Sequence, residues 1–427
     1  MKRENYCHLA LLLAAVLSGA SASPAKAQAS NSVPPLALET AIRTAWTNNP
    51  EIRVLTADIR MAKGEAITAK TWQNPEISVA PGYKQFRDSS DKQFHGNFGL
   101  DQTLEWPGKR ALRQAVAAKN VAVRQLALEG FRTQLAIQVR KAYFSLLTAQ
   151  SDKELQAQRL TLAREFAAAA QKKIDGGYAP EFEATKAAVE VVTAQKAWRE
   201  AQAQADTARI TLNFLMGNPP DAPLTVAGAL NSETAMPELF ALLDLAMRRN
   251  PAIQLQAAEA ERTGLSLQAI RKSRLPDVTV GPQVEYTRDE QTFDFGISLP
   301  LPLWNNKRGE IASATAEQEK TFAELDQLKK EILRDVTTAA KNYEAAKDSL
   351  AYYTPALREK LKNASEAAAQ GYAEGRTPLL LYLETQRTYF EMQTDYFETL
   401  QKLYAAQADV ESAAGIDLEP LTQTQTK

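Results

Sequence analysis

The chain has 427 residues, with 50 Lys and Arg against 51 Asp and Glu, two histidines and one cysteine. Its formal net charge of −1 gives no electrostatic basis for binding nucleic acid. One cysteine forms no internal disulfide, and two histidines leave little material for a histidine-rich metal centre or a nucleophile–histidine pair.

Residues 1–27 are predicted to form an export signal peptide. Two basic residues precede Leu9–Ala20, an apolar stretch too short to span a bilayer, and Ala25–Ala27 fits the small-x-small cleavage pattern. Cys7 lies before the apolar stretch, whereas lipid attachment needs a cysteine just after it. We therefore expect a mature chain that begins near Gln28 and contains no cysteine.

The predicted first repeat, residues 28–216, alternates helical and strand patterns. Two helices precede two strands, in which apolar residues occupy every second position, as in half-buried strands. A proline-free stretch then predicts one very long helix, and a Gly-Pro turn separates it from a last helix. The predicted bounds are strands 75–83 and 94–106, long helix 108–174 and last helix 181–216.

The predicted second repeat, residues 237–415, has the same order and follows a linker, 217–236. Equivalent landmarks lie 197 to 201 positions apart; for example, the Asn-Pro pair at Asn49 recurs at Asn250. A constant spacing of this kind indicates internal duplication. The predicted bounds are strands 276–286 and 292–303, long helix 308–370, last helix 379–414 and a polar tail, 416–427.

One junction occurs in both repeats, as FGLDQTLEWPGKR (Phe98–Arg110) and FGISLPLPLWNNKR (Phe295–Arg308). A Trp beside a basic pair at the foot of a strand is typical of a membrane interface, where the indole lies among headgroups. A soluble strand-to-helix junction with a core Trp is the alternative. The candidate membrane-interface residues are Trp106, Lys109, Arg110, Trp304, Lys307 and Arg308.

Four strands are too few to close a barrel that spans a membrane, which needs at least about eight. Open sheet edges are not tolerated in lipid. If these strands span a membrane, the chain must therefore oligomerise. The alternation then predicts lipid-facing side chains at Phe94, Phe98, Leu100, Phe293, Phe295 and Ile297. It predicts water-facing side chains at His95, Asp101 and Asp294.

The doubled order, the WPGKR turn and the LPLPLWNNKRGE segment resemble the TolC-like family of outer membrane efflux proteins, over Leu36–Gly415. The two segments resemble most the branch that serves cobalt-zinc-cadmium pumps of the resistance-nodulation-division type. The resemblance implies an α+β membrane protein in the cell outer membrane. It implies a homotrimer whose pooled strands form one transmembrane β-barrel, continued by a long periplasmic α-helical barrel.

The resemblance also implies two protein partners besides outer-membrane lipid: a periplasmic adaptor protein and an inner-membrane pump. The two Gly-Pro turns would form the tunnel tips that meet the adaptor. The candidate docking residues are Asp175, Gly176, Gly177, Tyr178, Pro180, Gly375, Arg376, Thr377, Pro378 and Leu379. Nearby acids would line the tunnel or belong to an ordinary solvated surface; they are Glu181, Glu183, Glu374 and Glu384.

We predict no catalytic, cofactor-binding or metal site, because His95 is the only histidine of the expected mature chain and fits a water-facing strand position. The leading hypothesis is a passive exit duct of a tripartite efflux pump for divalent heavy-metal cations. The alternatives are a duct for organic compounds or secreted polypeptides, and a periplasmic coiled-coil scaffold without a pore.

Overall fold

The structure is a computed structural model that describes residues 35–85, 92–178, 180–228, 230 and 236–418. The predicted export signal and its cleavage site lie outside these residues, as does most of the predicted tail. No helix within these ranges is both long enough and apolar enough to cross a membrane.

The two repeats have the same order of elements. The first comprises α1 (Leu38–Asn48), α2 (Pro50–Lys70), β1 (Glu76–Gln85), β2 (Lys92–Leu104), α3 (Lys109–Asp175) and α4 (Glu181–Leu215). The second comprises α5 (Leu239–Arg249), α6 (Pro251–Lys272), β3 (Val278–Thr287), β4 (Gln291–Ser298), α7 (Arg308–Ala351), α8 (Pro355–Ala373) and α9 (Leu379–Ala414).

Two asparagines cap equivalent helices in the same way. The side chain of Asn49 accepts a hydrogen bond from the backbone at the start of α2, and its amide donates to the Leu215 carbonyl at 3.1 Å. Asn250 caps α6 and donates to the Ala413 carbonyl at 3.2 Å. The duplication therefore extends to individual hydrogen bonds, each of which satisfies a backbone group that a helix end leaves without an intrahelical partner.

The four strands form one antiparallel sheet in the order β1-β2-β3-β4. β2 pairs with β3, with Phe98 opposite Val284, and so joins the two repeats. β1 and β4 are the edge strands in the part of the chain that the structure describes. Each edge leaves a row of backbone N–H and C=O groups available to another strand.

α3 is 67 residues long, roughly 100 Å, and packs against helices of both repeats. It contacts α1, α2 and α4 in its own repeat and α6 and α9 in the second. α7 contacts α5, α6 and α9 of its own repeat. Each long helix supplies matched residues to the apolar core of its repeat: Leu135, Val139 and Leu146 in the first, Ile332, Val336 and Tyr343 in the second.

The second long helix is not continuous, which corrects the predicted helix 308–370. α7 ends at Ala351 and α8 begins at Pro355. Proline lacks an N–H and its ring clashes with a preceding helical turn, so it belongs in the first turn of a helix. Thr354 caps α8, its hydroxyl oxygen accepting a hydrogen bond from the Leu357 N–H at 3.2 Å.

β4 is shorter than the predicted strand 292–303, since it ends at Ser298. Pro300 and Pro302 follow, and neither has the N–H that would extend a strand ladder. Trp304 therefore lies in irregular chain well beyond the strand rather than directly after it.

The predicted linker 217–236 and the start of the predicted tail 416–427 both contribute to the cores. Val226 forms an isolated bridge with the segment before α1 and is buried in the first core. Ile416 and Leu418 are buried in the second core, so the tail is not polar throughout. Burying an aliphatic side chain of this size stabilises the fold by roughly 1.5–3 kcal/mol, which explains why these residues pack against the helices.

Candidate functional site

One face of the sheet is apolar and exposed. Cross-strand partners share a face, and the register pairs Ile77 with Leu100 and Val280 with Ile297. Phe293 is 75% exposed and Ile297 71% exposed. A contiguous exposed apolar surface of this kind marks contact with a membrane or another protein. The face comprises Ile77, Val79, Tyr83, Phe94, Phe98, Leu100, Val280, Val284, Phe293, Phe295 and Ile297.

The opposite face of the sheet is polar. His95 lies there with its Nδ1 atom 3.2 Å from Glu285 Oε1, and Lys84 Nζ lies 3.0 Å from the same oxygen. Among the described residues, no group of three or more His, Cys, Asp or Glu side chains is placed to hold a metal ion. The polar face also carries Ser78, Asn97, Asp101, Gln283 and Asp294.

The first junction is tied to the second repeat by an acidic residue just before β3. Asp277 Oδ1 accepts hydrogen bonds from the Trp106 backbone N–H and from Lys109 Nζ, each at 2.8 Å. Arg110 places its guanidinium 4.4 Å from the centre of the Trp72 ring, a cation–π contact. Sequence reasoning missed Asp277 and Trp72, because both lie outside the repeated motif.

The second junction is more exposed than the first. Trp304 is 93% exposed, against 38% for Trp106. Lys307 precedes α7 in the left-handed region, with φ of 59°, and its Nζ lies 3.2 Å from Glu310 Oε2. Arg308 is the first residue of α7. The two copies of the motif therefore share a place in the fold but not their contacts.

Lys109 and Lys307 both line an open cavity of about 1670 Å³ below the sheet, among α2, α3 and α6. Sequence reasoning did not find this cavity, whose walls come from separate parts of the chain. Its charges balance, so the cavity alone favours neither cations nor anions. Its cations are Lys109, Arg113, Arg124, Arg262 and Lys307, and its acids are Glu65, Glu105, Glu259, Asp277 and Glu310.

The two Gly-Pro turns close in the same way. Gly177 and Gly375 adopt positive φ angles of 74° and 76°. After each glycine, the backbone N–H of Tyr178 or Arg376 returns to a carbonyl in the last turn of the preceding helix, at 2.8 and 2.7 Å. This pattern of returning hydrogen bonds is the Schellman motif, which requires a left-handed residue and so favours glycine.

Other residues of the turns differ from the sequence expectation. Gly176 has a helical φ of −81°, so its backbone does not require glycine. Pro180 and Pro378 are the residues immediately before α4 and α9 rather than within their first turns. Thr377 and Leu379 are half-buried, and the remaining docking candidates are exposed: Asp175, Gly176, Gly177, Tyr178, Pro180, Gly375, Arg376 and Pro378.

A buried tyrosine joins the two turns. The Tyr372 hydroxyl donates to Glu183 Oε2 at 3.1 Å, and Lys173 Nζ donates to the Tyr372 carbonyl at 2.9 Å. Burial, together with the Glu183 carboxylate, raises the pKa of Tyr372 to about 12, so the hydroxyl stays protonated and remains a donor. Tyr372 packs in a small apolar cluster with Phe166 and Tyr382.

The four acids predicted to line the tunnel differ in their surroundings. Glu183 is half-buried and accepts the tyrosine hydrogen bond. Glu374 forms an ion pair with Arg376. Glu181 and Glu384 are exposed. The acids are therefore not equivalent, and an ion pair already offsets one of their charges.

This long helical hairpin fold with a four-stranded sheet is that of an outer-membrane channel subunit. The outer-membrane channel OprN superimposes with a TM-score of 0.74 at 18% identity, covering 90% of this chain and 91% of that chain. Residues 41–218 and 242–416 match the sequence profile of the outer membrane efflux protein family, and the chain belongs to that family. The two matched segments coincide with the two repeats.

Relatives with known roles include metal-resistance proteins. The cobalt-zinc-cadmium resistance protein CzcC of Cupriavidus metallidurans is 26% identical over 387 residues, covering 89% of this chain and 90% of that protein. The nickel and cobalt resistance protein CnrC of the same organism is 26% identical, covering 66% of this chain and 67% of that protein. The pyoverdine export outer membrane protein OpmQ of Pseudomonas aeruginosa is 24% identical, covering 83% of this chain and 80% of that protein.

Proposed function

We propose that this protein is the outer-membrane exit duct of a tripartite efflux pump of the resistance-nodulation-division type. It conducts divalent heavy-metal cations passively from the periplasm to the exterior. The observation that carries the substrate class is the similarity to CzcC over nearly the whole length of both chains. The equal numbers of positive and negative side chains that line the open cavity suit a passive conduit rather than a binding centre.

The duct is a homotrimer in this proposal. An exposed apolar face on one side of the sheet and a polar face on the other suit strands that separate lipid from a water-filled lumen. A single copy leaves β1 and β4 as open edges, which lipid does not tolerate. Pooling the strands of three copies removes those edges.

The six junction residues lie at the membrane interface in this proposal. The exposure of Trp304 suits an indole that inserts among headgroups, and the exposed surroundings of the second junction suit contact with lipid. At the first junction, Lys109 and Arg110 have protein partners, so their contribution there is mainly to fix the sheet on the helices.

The two turns dock the periplasmic adaptor protein in this proposal, and the adaptor links the duct to the inner-membrane pump. Both turns are exposed and closed by backbone hydrogen bonds, and the first lies roughly 100 Å from the sheet along α3. Tyr178 is 87% exposed and offers apolar area to a partner. Glu181 and Glu384 are exposed, so their carboxylates can attract cations, whereas Glu374 is paired with Arg376.

The docking role is tested by placing an aspartate at Gly177 and, as the control, at Gly309, an exposed glycine at the start of α7, where a Cβ would meet nothing within 4 Å. In-cell crosslinking to the adaptor and metal tolerance are measured beside trimer yield. Docking predicts that Gly177→Asp loses crosslinking and tolerance while trimer yield is kept. Gly309→Asp adds the same charge far from the turns and should leave crosslinking and tolerance unchanged. Unimpaired crosslinking for both variants would remove the docking role.

The similarity to OpmQ favours a second candidate, a duct for an organic siderophore. Deleting the gene and measuring growth on zinc, cobalt and cadmium, with secretion of organic iron chelators assayed in parallel, separates the two. The metal hypothesis predicts hypersensitivity to at least one of these cations and unchanged chelator secretion. The reverse pattern would replace it with the siderophore duct.

A further inference from the structure

We propose a binding site for an anionic phospholipid just below the sheet, on the side that continues its apolar face. Arg271 and Lys272, in the last turn of α6, and Arg274, directly after it, hold the headgroup phosphate. The acyl chains lie on exposed apolar residues that follow β4. This inference rests on the proposed outer-membrane duct, in which the junction of sheet and helices lies at the membrane surface.

The site is a second open cavity, of about 700 Å³, at the end of α6. The three cations line it together with Leu112 of α3 and Pro302 of the segment between β4 and α7. None of the described residues that line this second cavity is acidic. It differs in this respect from the large cavity among α2, α3 and α6, whose cations and acids are equal in number.

The three cations form no ion pair within the part of the chain that the structure describes. Asp277, the nearest acid along the chain, is already paired with Lys109 at 2.8 Å. Arg271 and Arg274 are exposed, and Lys272 is half-buried. Uncompensated positive charge in a concave site attracts anions, and the planar guanidinium offers paired donors that match a phosphate group.

The first repeat lacks this concentration of charge. The spacing of 201 that separates the capping asparagines places Lys70, Thr71 and Gln73 at the equivalent positions. A helix end of this polarity favours cations through its dipole, but α2 ends with one cation where the second repeat has three. The helix end alone therefore does not account for the cluster.

The two cavities lie on opposite sides of α6. Gln268 and Arg271 line the second cavity, whereas Glu259 and Arg262 line the large one. The members of each equivalent pair are nine residues apart, which corresponds to about half a turn beyond two whole turns of a helix. A molecule in the second cavity is thus separated from the large cavity by the helix itself.

The large cavity belongs to the side of the polar face of the sheet. Thr103 and Thr279 lie opposite each other on that face, and their hydroxyl oxygens are 3.0 Å apart. Glu105 and Asp277 each lie two positions beyond these threonines and line the large cavity. Because side chains two positions apart share a strand face, the second cavity lies on the side of the apolar face. That side meets lipid in the proposed duct.

Exposed apolar residues flank the cations. Leu301, Leu303 and Trp304 are 65%, 70% and 93% exposed, and they lie in the same segment as Pro302 and Asn306 of the cavity wall. An indole and aliphatic side chains beside cations suit the boundary between acyl chains and headgroups. A phospholipid would contact both the cations and the apolar residues, whereas a free phosphate ion would contact only the cations.

The test is a lipid titration of the full-length trimer in detergent, followed by native mass spectrometry. The probes are dioleoyl phosphatidylglycerol, which is anionic, and dioleoyl phosphatidylcholine, which has the same acyl chains and no net charge. The test variant is Arg271→Gln with Arg274→Gln, since both side chains are exposed. The matched control is Arg248→Gln with Arg249→Gln, an exposed pair in the last turn of α5. It removes the same charge at the far end of α6, roughly 33 Å away.

The parent trimer should retain up to three phosphatidylglycerol molecules, one for each copy, and bind phosphatidylcholine more weakly. The test variant should bind phosphatidylglycerol roughly 30-fold more weakly than the parent, since each basic residue near an anionic headgroup contributes about 1 kcal/mol. The control should keep the affinity of the parent. Unchanged affinity in the test variant, equal losses in the two variants, or equal affinity of the parent for the two lipids would overturn the inference.

A single substitution keeps the test decisive where the double variant yields no trimers. Arg274 lies beyond the helix, and Arg274→Gln alone should weaken phosphatidylglycerol binding about 5-fold. Millimolar inorganic phosphate, exchanged for chloride at constant ionic strength, should leave the bound lipid in place. Displacement of the lipid by phosphate would assign the cations to a free anion and overturn the lipid site.

The parent protein separates failure of this inference from failure of the proposed duct. Parent trimers that are present in outer-membrane fractions and support metal tolerance, but show no preference for phosphatidylglycerol, would overturn the lipid site alone. Absence of parent trimers from those fractions would overturn the lipid site together with the duct.

Discussion

A buried ion pair offers the sharpest test of how the two repeats are held together. Arg140 of α3 places Nη1 2.5 Å from Glu411 Oε2 of α9 and Nη2 2.9 Å from Asp417 Oδ1. The Arg140 side chain is 4% exposed and the Glu411 side chain is not exposed, whereas Asp417 is 36% exposed. Replacing Arg140 by methionine keeps an unbranched apolar stem but leaves the Glu411 carboxylate buried without its cation.

Removing one partner of a buried pair costs about 3–5 kcal/mol, because the remaining charge stays out of water. We therefore expect Arg140→Met to lower the free energy of unfolding by that amount at neutral pH. Asp417 adds little to the loss, since water reaches its carboxylate. Arg140→Met combined with Glu411→Gln removes both charges and should recover most of the stability.

The loss should depend on pH. Burial raises the pKa of Glu411 above its ordinary value of 4.5, and the positive charge of Arg140 offsets only part of this rise. Removing Arg140 raises the pKa of Glu411 further. A carboxyl group with a raised folded-state pKa contributes stability that is present below the unfolded pKa and is lost as pH rises through the folded pKa. The defect of Arg140→Met should therefore shrink as pH falls from neutral towards 4.5.

The assay is chemical denaturation of the detergent-solubilised protein, followed by the helical circular dichroism signal at several pH values. Lys141→Met is the matched control, because Lys141 pairs with Asp409 between the same two helices at 2.7 Å but both side chains are exposed. An exposed pair of this kind contributes about 0–1 kcal/mol. Equal losses for the two variants, or a pH-independent loss for Arg140→Met, would refute the reasoning.

Three further predictions follow from burial, backbone angle and strand face. Leu146→Ala should lower the free energy of unfolding by about 2–5 kcal/mol in the same denaturation assay, since Leu146 is 1% exposed. Gly177→Ala should cost about 1–2 kcal/mol there, because Gly177 has a positive φ. Gly176→Ala should cost less, because the ring that its Cβ would meet belongs to Tyr178, which is exposed and can move aside. Phe295→Arg should destabilise the folded sheet in lipid by about 2–4 kcal/mol and reduce the amount of folded protein in outer-membrane fractions. Ser298→Arg, on the opposite face, should leave the amount of folded protein in those fractions unchanged. A loss of folded protein in both variants would contradict the assigned face.

The turns and the faces of the strands were predictable from sequence because local chemistry determines both. Gly177 and Gly375 occupy turns that only glycine adopts freely, and the alternation that assigns Phe295 to the apolar face is a period of two residues. The Arg140–Glu411 pair was not predictable in this way. Its residues are 271 positions apart, and no periodic pattern distinguishes them from the many charged residues on helix surfaces.

The break between α7 and α8, by contrast, was predictable from the sequence, because Pro355 marks its position. The predicted helix 308–370 nevertheless ran across this proline. The two repeats show what the interruption does. Along α7 the core residues match those of α3 at a spacing of 197, as Leu135 and Ile332 do, whereas the turns match at 198, as Gly177 and Gly375 do. One extra residue therefore lies between core and turn in the second repeat.

In a continuous helix, one inserted residue rotates everything beyond it by about 100°, which would swing the second turn away from the first. The non-helical residues between α7 and α8 absorb that rotation. This is consistent with the observed contact of Tyr372, at the end of α8, with Glu183 beside the first turn. The proline and the extra residue are thus one structural feature, in which a break in the helix compensates for an insertion and keeps the two turns together.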